Sequence, residues 1–398
     1  MPKTIHDAIE HHRQGRLVPA EAIYLDLLRA NANDVDALHY LGVLRKSQGK
    51  SVEAQELLKR ALTLAPRNSD AWNSMGNIAS GANDAFAELA YRSATELNPG
   101  YAEAWYNLGN LYRRLRRRED AVKAYRRVIE LNPRFAGAYE NIALLLLKLG
   151  RADLTAEVFQ RWLQAEPENP IARHMAAAYS GATETAPTRA EDGYVATMFD
   201  RFAEQFDSTL AGLGYAAPKL LMTALSDVIP IAERRLAILD AGCGTGLCGP
   251  LLRSSARLLV GVDLSAGMLT KARERGIYDE LHEGELVAFM RTRAAGYDAI
   301  VSADTLVYFG ALEEALSAAA GALKPGGILA FTVEAEPARS LEQFRLHSSG
   351  RYSHGADYVR ACLASSGLSV VSFEAGVLRK EAGADVSGHV VLARSSPG

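Results

Sequence analysis

Small and large apolar residues recur along the first two-fifths of the chain with a spacing of about 34 residues. The pattern is clearest in 102–135 and recurs in 35–68, 69–101 and 136–169, whereas 1–34 matches only its second half. The large residues are expected to fill the seam between two helices, and the small ones let the helices approach closely. We therefore predict an all-α solenoid of about five helix pairs.

One unit shows which residue types recur. In 102–135 they are Trp105, Leu108, Gly109, Tyr112, Ala121, Tyr125, Val128 and Pro133. This pattern resembles the tetratricopeptide repeat. The resemblance implies that the concave face, lined by the first helix of each unit, binds a peptide or protein. Asparagines on those helices either bind a peptide backbone or are solvated; they are Asn73, Asn77, Asn107, Asn110 and Asn141.

A run of arginines lies at the turn inside the same unit. It consists of Arg113, Arg114, Arg116, Arg117 and Arg118, and only Glu119 and Asp120 offset it nearby. The run either docks an acidic partner or another part of the chain, or forms a solvated face. Because no second basic stripe or base-stacking motif accompanies it, we expect no nucleic-acid partner.

A change in composition marks the end of the repeats. Residues 181–192 are small, polar and aperiodic, and we predict that they link a repeat domain at 1–180 to a second domain at 193–398. The second domain begins with a helical segment, 193–230, in which apolar residues recur at helical spacing.

Short apolar runs then alternate with helical segments. Strands are predicted near 235–240, 258–263, 279–282, 297–302, 326–334, 369–378 and 388–394, and helices near 216–228, 247–255, 266–275, 284–292, 311–322 and 356–366. The alternation predicts an α/β domain with a parallel, Rossmann-like sheet covered on both faces. The chain is thus expected to join an all-α repeat domain to an α/β domain.

The first predicted strand of this sheet ends in a glycine-rich loop. Asp240 is followed by glycines at 242, 244 and 246, and the next strand ends in Asp263. An acidic residue about 20 positions after the first glycine can hold a ribose hydroxyl. Leu247 stands where the dinucleotide-binding pattern has its third glycine. The segments 239–246 and 261–265 resemble motifs I and II of class I S-adenosylmethionine-dependent methyltransferases.

That resemblance implies S-adenosylmethionine as cofactor, bound beyond the carboxyl ends of the strands. Asp240 would take the cofactor's ammonium, Asp263 would chelate the ribose diol, and Glu285 would accept the adenine amino group. Capping of the following turn or helix is the alternative for the two aspartates. The expected cofactor-binding residues are Asp240, Gly242, Gly244, Gly246, Asp263, Leu264, Met268, Glu285, Leu286 and Asp304.

The segment before the sheet carries aromatic residues in the pattern Phe-Asp-x-Phe-Ala-x-x-Phe-Asp at 199–207. It resembles the N-terminal cap of small bacterial methyltransferases, which implies that it covers the cofactor and helps form the substrate pocket. Packing in the core is the alternative. The expected substrate and lid residues are Tyr194, Phe199, Phe202, Phe206, Tyr308, His347 and Arg351.

Candidates for proton transfer are concentrated at 346–354. A methyl acceptor must lose a proton, and histidine is the usual base near neutral pH. We therefore expect catalytic roles for His354, Tyr352 and Asp304. Capping of helix 356–366 is the alternative for His354, and alignment of the reactants alone can also drive methyl transfer.

Composition bounds the remaining functions. The chain has 398 residues, a net charge of −3 and three cysteines. It shows no apolar leader and no apolar run of about 18 residues, so we expect a cytoplasmic protein without membrane contact. The cysteines lack nearby histidines, so we expect no metal site.

Together these features predict a methyltransferase that uses S-adenosylmethionine to methylate a peptide or protein recruited by the repeats. The first alternative is a small-molecule methyltransferase whose repeats serve oligomerisation, a homodimer included, or scaffolding. The second is a partner-binding repeat protein whose second domain has lost its activity; the intact cofactor motifs argue against it.

Overall fold

The structure, a computed structural model, describes residues 4–180, 187–229, 234–336, 343–381 and 383–397. The chain divides into two compact units, Met1–Pro167 and Glu168–Gly398. The division lies before the predicted linker at 181–192, whose residues 181–186 are outside the described part. None of the helices in the described ranges is long and apolar enough to cross a membrane.

The described part of the first unit consists of ten α-helices. They are α1 (Ile5–Arg13), α2 (Leu17–Ala30), α3 (Val35–Ser47), α4 (Ser51–Leu64), α5 (Ser69–Ala79), α6 (Asp84–Leu97), α7 (Ala102–Arg114), α8 (Arg118–Leu131), α9 (Ala136–Lys148) and α10 (Ala152–Ala165). Each predicted repeat is one helix pair, and the described part of 1–34 also contains a pair, α1 and α2. The predicted all-α repeat architecture is confirmed.

Two glycines show why small residues are needed inside the repeats. An ideal Cβ on Gly76 would lie 2.5 Å from the Tyr91 ring, and one on Gly109 would lie 2.7 Å from the Tyr125 ring. Tyr125 donates a hydrogen bond of 2.7 Å to Asn110 Oδ1, which fixes the ring against the opposite helix. The backbone of the first helix therefore serves as the packing surface for the tyrosine of the second.

The asparagines expected to face a peptide already have partners within the array. Asn107 Nδ2 donates to Asn73 Oδ1 at 3.0 Å, and Asn141 Nδ2 donates to Tyr106 Oη at 3.3 Å. Asn77, like Asn110, accepts a tyrosine hydroxyl, at 2.8 Å. Asn73 is only 2% exposed. These amides join neighbouring helices and repeats, which satisfies polar groups that would otherwise be costly to bury.

The second unit begins with a helix that precedes the predicted linker. Its helices are α11 (Pro170–Ser180), α12 (Asp192–Phe202), α13 (Phe206–Gly212), α14 (Ala217–Ser226), α15 (Gly249–Leu252), α16 (Ala266–Arg275), α17 (Leu286–Arg291), α18 (Glu313–Ala322) and α19 (Ala356–Ser365), with short 3₁₀ turns at Ala203–Gln205 and Leu306–Tyr308. Its strands are β1 (Leu236–Ala241), β2 (Ala256–Asp263), β3 (Glu280–Glu283), β4 (Tyr297–Ser302), β5 (Leu323–Ala335), β6 (Phe344–Leu346), β7 (Tyr352–His354), β8 (Leu368–Glu381) and β9 (Ala384–Ser395).

The sheet has the predicted parallel centre. Strands β3, β2, β1, β4 and β5 lie side by side and parallel, so their carboxyl ends share one edge. Strand β9 pairs antiparallel with β5, and β8 with β9, as the closing hairpin. The sequence did not predict β6 and β7. Strand β5 pairs with β4 along one edge and with β9 along the other. Strand β7 therefore pairs with β5 only beyond the part that β4 covers, at Glu334 and Ala335.

Apolar layers cover both faces of this sheet. Helices α17, α18 and α19 bury Val287, Leu316 and Val359 against one face. Helices α14 and α15 bury Leu221 and Leu252 against the other. The predicted α/β domain, covered on both faces, is confirmed.

We predict that Gly109→Ala destabilises the repeats. Alanine is the better helix former by about 1 kcal/mol, but its methyl group would enter the Tyr125 ring, and overpacking costs about 1–3 kcal/mol. The measurement is thermal unfolding of the full chain. Gly100→Ala is the control, because its Cβ would be 3.4 Å from the nearest side-chain atom. A Gly109→Ala chain more stable than the parent would contradict the packing argument.

Candidate active site

A cavity of about 290 Å³ opens at the carboxyl ends of the parallel strands. Its wall combines the glycine loop after β1, the end of β2, the segment after β4, the helices before the sheet and the hairpin strand β8. Twelve predicted site residues line it: Phe199, Phe206, Gly242, Gly244, Asp263, Leu264, Met268, Glu285, Leu286, Asp304, Tyr308 and Arg351. Phe202, also expected in the lid, lines it as well.

Asp263 is held at the end of β2 by two backbone donors. Its Oδ2 accepts the Gly244 N–H at 2.8 Å, and its Oδ1 accepts the Ser265 N–H at 2.9 Å. Burial raises the pKa of this carboxyl, and the two N–H groups oppose that shift. Each carboxylate oxygen has a second lone pair for a further donor, so Asp263 can accept two hydroxyl groups from a ligand in the cavity.

Gly244 leaves the space beside this carboxylate open. Its φ is 54°, in the left-handed region that favours glycine, and an ideal Cβ would have only the Phe206 ring nearby, at 4.0 Å. Gly242 also lines the cavity, with φ 78°, and a Cβ there would collide with Thr305. The loop thus presents backbone rather than side chains to a ligand.

Asp240 and Gly246, both predicted to contact the cofactor, are absent from the cavity lining. Asp240 is 1% exposed, and its Oδ2 accepts the Tyr278 hydroxyl at 2.6 Å. A Cβ on Gly246 would lie 2.9 Å from the Tyr278 ring. Both residues support the loop from below, and burial raises the pKa of Asp240 to about 7.

The helices before the sheet form an aromatic cover. Phe199 and Phe202 each meet Phe206 edge to face, with ring centroids 5.9 and 5.7 Å apart. Phe199 also meets Tyr308 edge to face, at 5.5 Å. Tyr194, in contrast, is 2% exposed and stacks on a histidine of α11, outside the cavity lining. Of the residues expected in the lid, the three phenylalanines line the cavity and Tyr194 does not.

Two aspartates of the same motif bind this cover to the loops that follow β1 and β2. The sequence did not predict a role for either aspartate. Asp200 accepts the Ser265 hydroxyl at 2.6 Å and the Gly267 N–H at 2.9 Å. Asp207 accepts the Thr245 hydroxyl at 2.5 Å. Their signal was present, since each follows a phenylalanine directly. Because helical periodicity is judged from apolar positions, it did not indicate a role for these two aspartates.

An ionic wall closes the opposite side of the cavity. Arg379 donates to Asp304 Oδ2 at 2.5 Å, to Glu381 Oε1 at 2.7 Å and to Glu334. Arg351 donates to Glu334 Oε1 at 2.7 Å and to Glu381 Oε1 at 2.5 Å. Arg379 is 4% exposed, so these pairs are largely shielded from water. Sequence reasoning found Asp304 and Arg351 but missed Arg379 and Glu381, which belong to the hairpin.

Asp304 has an unusual backbone in this wall. Its φ is 53°, uncommon for a residue with a side chain, and its N–H donates to Thr332 Oγ1 at 2.9 Å. Burial raises the pKa of its carboxyl, while the positive charge of Arg379 opposes the shift. Strained backbone in a cavity wall is typical of functional positions.

His354, Tyr352 and His347, expected to contact the acceptor, lie outside the cavity lining. His354 is fully buried, and its Nε2 donates to the Phe309 carbonyl at 2.8 Å. Burial lowers its pKa to about 4. Tyr352 donates to the Pro187 carbonyl at 2.6 Å. The unpredicted strand β7 places Tyr352 and His354 in the core, whereas His347 precedes β7 and is partly exposed.

Glu285 caps a helix while lining the cavity. Its two carboxylate oxygens accept the N–H groups of Val287 at 2.9 Å and Ala288 at 2.7 Å. Arg189 lies 3.1 Å from the same carboxylate and its guanidinium covers the Phe309 ring. A contact between Glu285 and adenine, as predicted, would therefore use the lone pairs of the carboxylate oxygens that these donors do not occupy.

A second surface feature lies in the first unit. Part of the arginine run and Lys148 line a groove with two leucines of α9; the lining residues are Arg113, Arg114, Arg116, Arg118, Leu144, Leu145 and Lys148. Arg114 is bound to Asp84 at 2.6 Å. No carboxylate lies among the described residues of the lining, so the groove carries a concentrated positive charge.

Comparison with known proteins identifies both parts of the chain. The family described as methyltransferase domain matches residues 238–327, and the tetratricopeptide repeat family matches 102–135. The chain therefore combines a segment that matches the tetratricopeptide repeat family with a segment that matches the methyltransferase domain family.

Several curated proteins are similar to part of this chain. Human methyltransferase-like protein 27 is 42% identical over 85 residues, which cover 21% of this chain and 35% of that protein. The biotin biosynthesis bifunctional protein BioHC of Saccharophagus degradans is 33% identical over 144 residues, 35% of this chain and 24% of that protein. Malonyl-[acyl-carrier protein] O-methyltransferase of Enterobacter lignolyticus is 33% identical over 114 residues, 29% and 44% of the two chains. The chain spans less than half of each of these relatives.

We predict that Asp240→Asn removes a pH dependence of stability. The folded carboxyl has a pKa of about 7, against 3.8 for an ordinary aspartate. Between these values the folded state binds more protons than the unfolded state, so the free energy of unfolding falls as pH rises through that window. The variant should match the parent near pH 4 and exceed it near pH 8. Urea unfolding of the ligand-free protein at a series of pH values measures this, and parallel curves for the two proteins would contradict it.

Proposed function

We propose that this chain transfers a methyl group from S-adenosylmethionine to an acceptor. The observation that carries the proposal is Asp263, a carboxylate fixed by two backbone N–H groups beside an open glycine loop, in a domain that matches the methyltransferase family. The free lone pairs of Asp263 suit a ribose diol. The cavity, at about 290 Å³, is close to the lower end of the volumes typical of small-molecule sites.

The other residues around the cavity suit the same cofactor. Leu264, Met268 and Leu286 provide an apolar surface for adenine beside Asp263. Gly242 and Gly244 leave room for the methionyl part. Bound there, S-adenosylmethionine supplies an electrophilic methyl group on a sulfonium.

The protein contributes alignment and exclusion of water. The phenylalanine cover, held through Asp200 and Asp207, lines one side of the cavity and would limit the access of water to a bound ligand. A nucleophile held in line with the sulfonium gains rate from orientation, and this requires no dedicated base. Asp304, Tyr308 and Arg379 also line the cavity, and we propose that they face the acceptor.

We propose further that the acceptor is a peptide or protein recruited by the repeats. Two observations support this step. The basic groove offers a docking surface for acidic side chains. Several relatives are named for methylation of a group on a carrier protein, so a protein-bound acceptor has precedent among them. A small-molecule acceptor is the competing outcome of the experiment below.

Asp263→Asn should weaken the binding of S-adenosylmethionine by about 100-fold. The amide keeps the shape of the side chain but loses the charge and one acceptor oxygen, and hydrogen bonds to a charged group contribute about 1.5–3 kcal/mol each. Isothermal titration calorimetry measures the affinity. Glu283→Gln is the matched control, since Glu283 is exposed at the end of the neighbouring strand β3 and does not line the cavity. Equal affinity in Asp263→Asn and the parent would refute the assignment.

The groove should govern transfer to proteins but not cofactor affinity. A double variant, Arg113→Glu with Arg118→Glu, replaces two positive charges and should reduce labelling of protein in a bacterial lysate by about 10-fold, since rim charges mainly set encounter rates. Labelled S-adenosylmethionine provides the readout. Arg67→Glu with Arg134→Glu changes charge equally outside the groove and should label like the parent. Label found only in small molecules, and equal for all three proteins, would make the repeats accessory.

A further inference from the structure

The cavity wall carries more negative than positive charge. Its lining includes five carboxylates, Asp192, Asp263, Glu285, Asp304 and Glu381, against three arginines, Arg189, Arg351 and Arg379. Lysine and histidine do not occur among the described lining residues. Glu334, directly behind the wall, adds a sixth carboxylate to the same network. A ligand in the cavity therefore meets a net negative surface.

The three arginines are already occupied by carboxylates. Arg351 is bound to Glu334 and Glu381, and Arg379 is bound to both of these and to Asp304. Because these pairs are largely buried, releasing one guanidinium for a ligand would leave a carboxylate unpaired, which is costly in a dry wall.

Arg189 is occupied in the same way at the other end of the cavity. It binds Asp192 and lies 3.1 Å from Glu285. The guanidinium is also held over the Phe309 ring, with 4.8 Å between its carbon and the ring centroid. A carboxylate acceptor would thus enter a negative wall in which each arginine already has its anion.

The tyrosines of the wall do not change this balance. Tyr215 and Tyr308 line the cavity, and burial raises the pKa of both phenols. They remain neutral near neutral pH and offer hydroxyl groups for hydrogen bonds. The charge of the wall is therefore set by the carboxylates and arginines alone.

We propose that the acceptor is an amine and that Asp304 binds its nitrogen. The inference rests on the proposed methyl transfer and names its substrate class. Among the described residues, Asp304 has one guanidinium partner at Oδ2, and its Oδ1 has only the Thr332 hydroxyl at 3.4 Å, so Oδ1 can accept an N–H from the acceptor. An entering ammonium would also offset the surplus negative charge of the wall.

The reaction balances with the groups named. A protonated amine first passes one proton to Asp304, which leaves a nitrogen lone pair. That lone pair forms the N–CH₃ bond as the S–CH₃ bond breaks, and the electron pair of the broken bond stays on sulfur as a neutral thioether. The methylated nitrogen is then cationic and is released as an ammonium, while Asp304 returns its proton to solvent.

The chemistry of the label tests the substrate class directly. The full chain is incubated with methyl-labelled S-adenosylmethionine and bacterial lysate, and the labelled fraction is treated with alkali and then hydrolysed in acid. Methyl esters release volatile label in alkali, whereas N-methyl groups survive both steps and co-migrate with N-methyl amino acids or amines. Label in N-methyl products is the expected result. Label released by alkali, or stable label on oxygen or sulfur, would overturn the amine while leaving methyl transfer intact. No label in any fraction, with cofactor binding shown by calorimetry, would overturn both.

A variant then separates the role of Asp304 from a structural one. Asp304→Asn keeps the side-chain shape but cannot take a proton, and should slow labelling by about 100-fold near neutral pH. The rate should recover as pH rises towards the amine's own pKa, about 10.4 for a lysine, because neutral amine then forms in solution. Glu381→Gln, which also removes one charge from the network but leaves Asp304 in place, should not acquire this recovery. A uniform loss at every pH in Asp304→Asn would contradict the assigned role.

Discussion

Three carboxylates from separate parts of the second unit converge on one guanidinium, that of Arg379. Asp304 follows β4, Glu334 lies in β5 and Glu381 ends β8, so the contact joins two strands of the parallel sheet to the hairpin. Without this cation the carboxylates would repel one another in a poorly hydrated wall, and removing one partner of a buried pair costs about 3–5 kcal/mol. The hairpin is therefore part of the site, because it delivers the charge that lets Asp304 be buried.

The outline of the fold could be predicted because patterns of nearby residues in the sequence indicate it. A spacing of about 34 residues marks the repeats, and strand-then-helix alternation marks the sheet. Gly244 and Asp263 could be placed in the site for the same reason, since a loop after one strand and the end of the next must share an edge. Pairing in the parallel sheet then brings the Gly244 N–H and the Asp263 carboxylate into contact.

Residues whose role depends on distant pairing could not be placed this way. His354 was expected in the cavity because imidazole chemistry suits methyl transfer, but strand β7, only three residues long, puts it in the core. Nothing near Arg379 in the sequence marks it, since its partner Asp304 lies 75 positions earlier. Asp200 and Asp207 were visible in the motif, yet only the folded cover shows that they bind the loops beneath. Short strands and long-range ion pairs thus set the limit of sequence reasoning here.

Two aspartates beside the glycine loop, Asp240 and Asp263, have different hydrogen-bond partners and therefore differ in how readily they ionise. Asp263 receives two backbone N–H groups, which favour its ionised form, whereas Asp240 receives one phenol hydroxyl and is fully buried. Each also raises the cost of ionising the other, since the charge of Asp263 contributes to the raised pKa of Asp240. The negative charge is therefore placed on Asp263, on the cavity side, where a ligand can use it. Asp240 instead accepts the Tyr278 hydroxyl on the buried side of the loop, so an acidic residue at the end of β1 can support the site without lining the cavity.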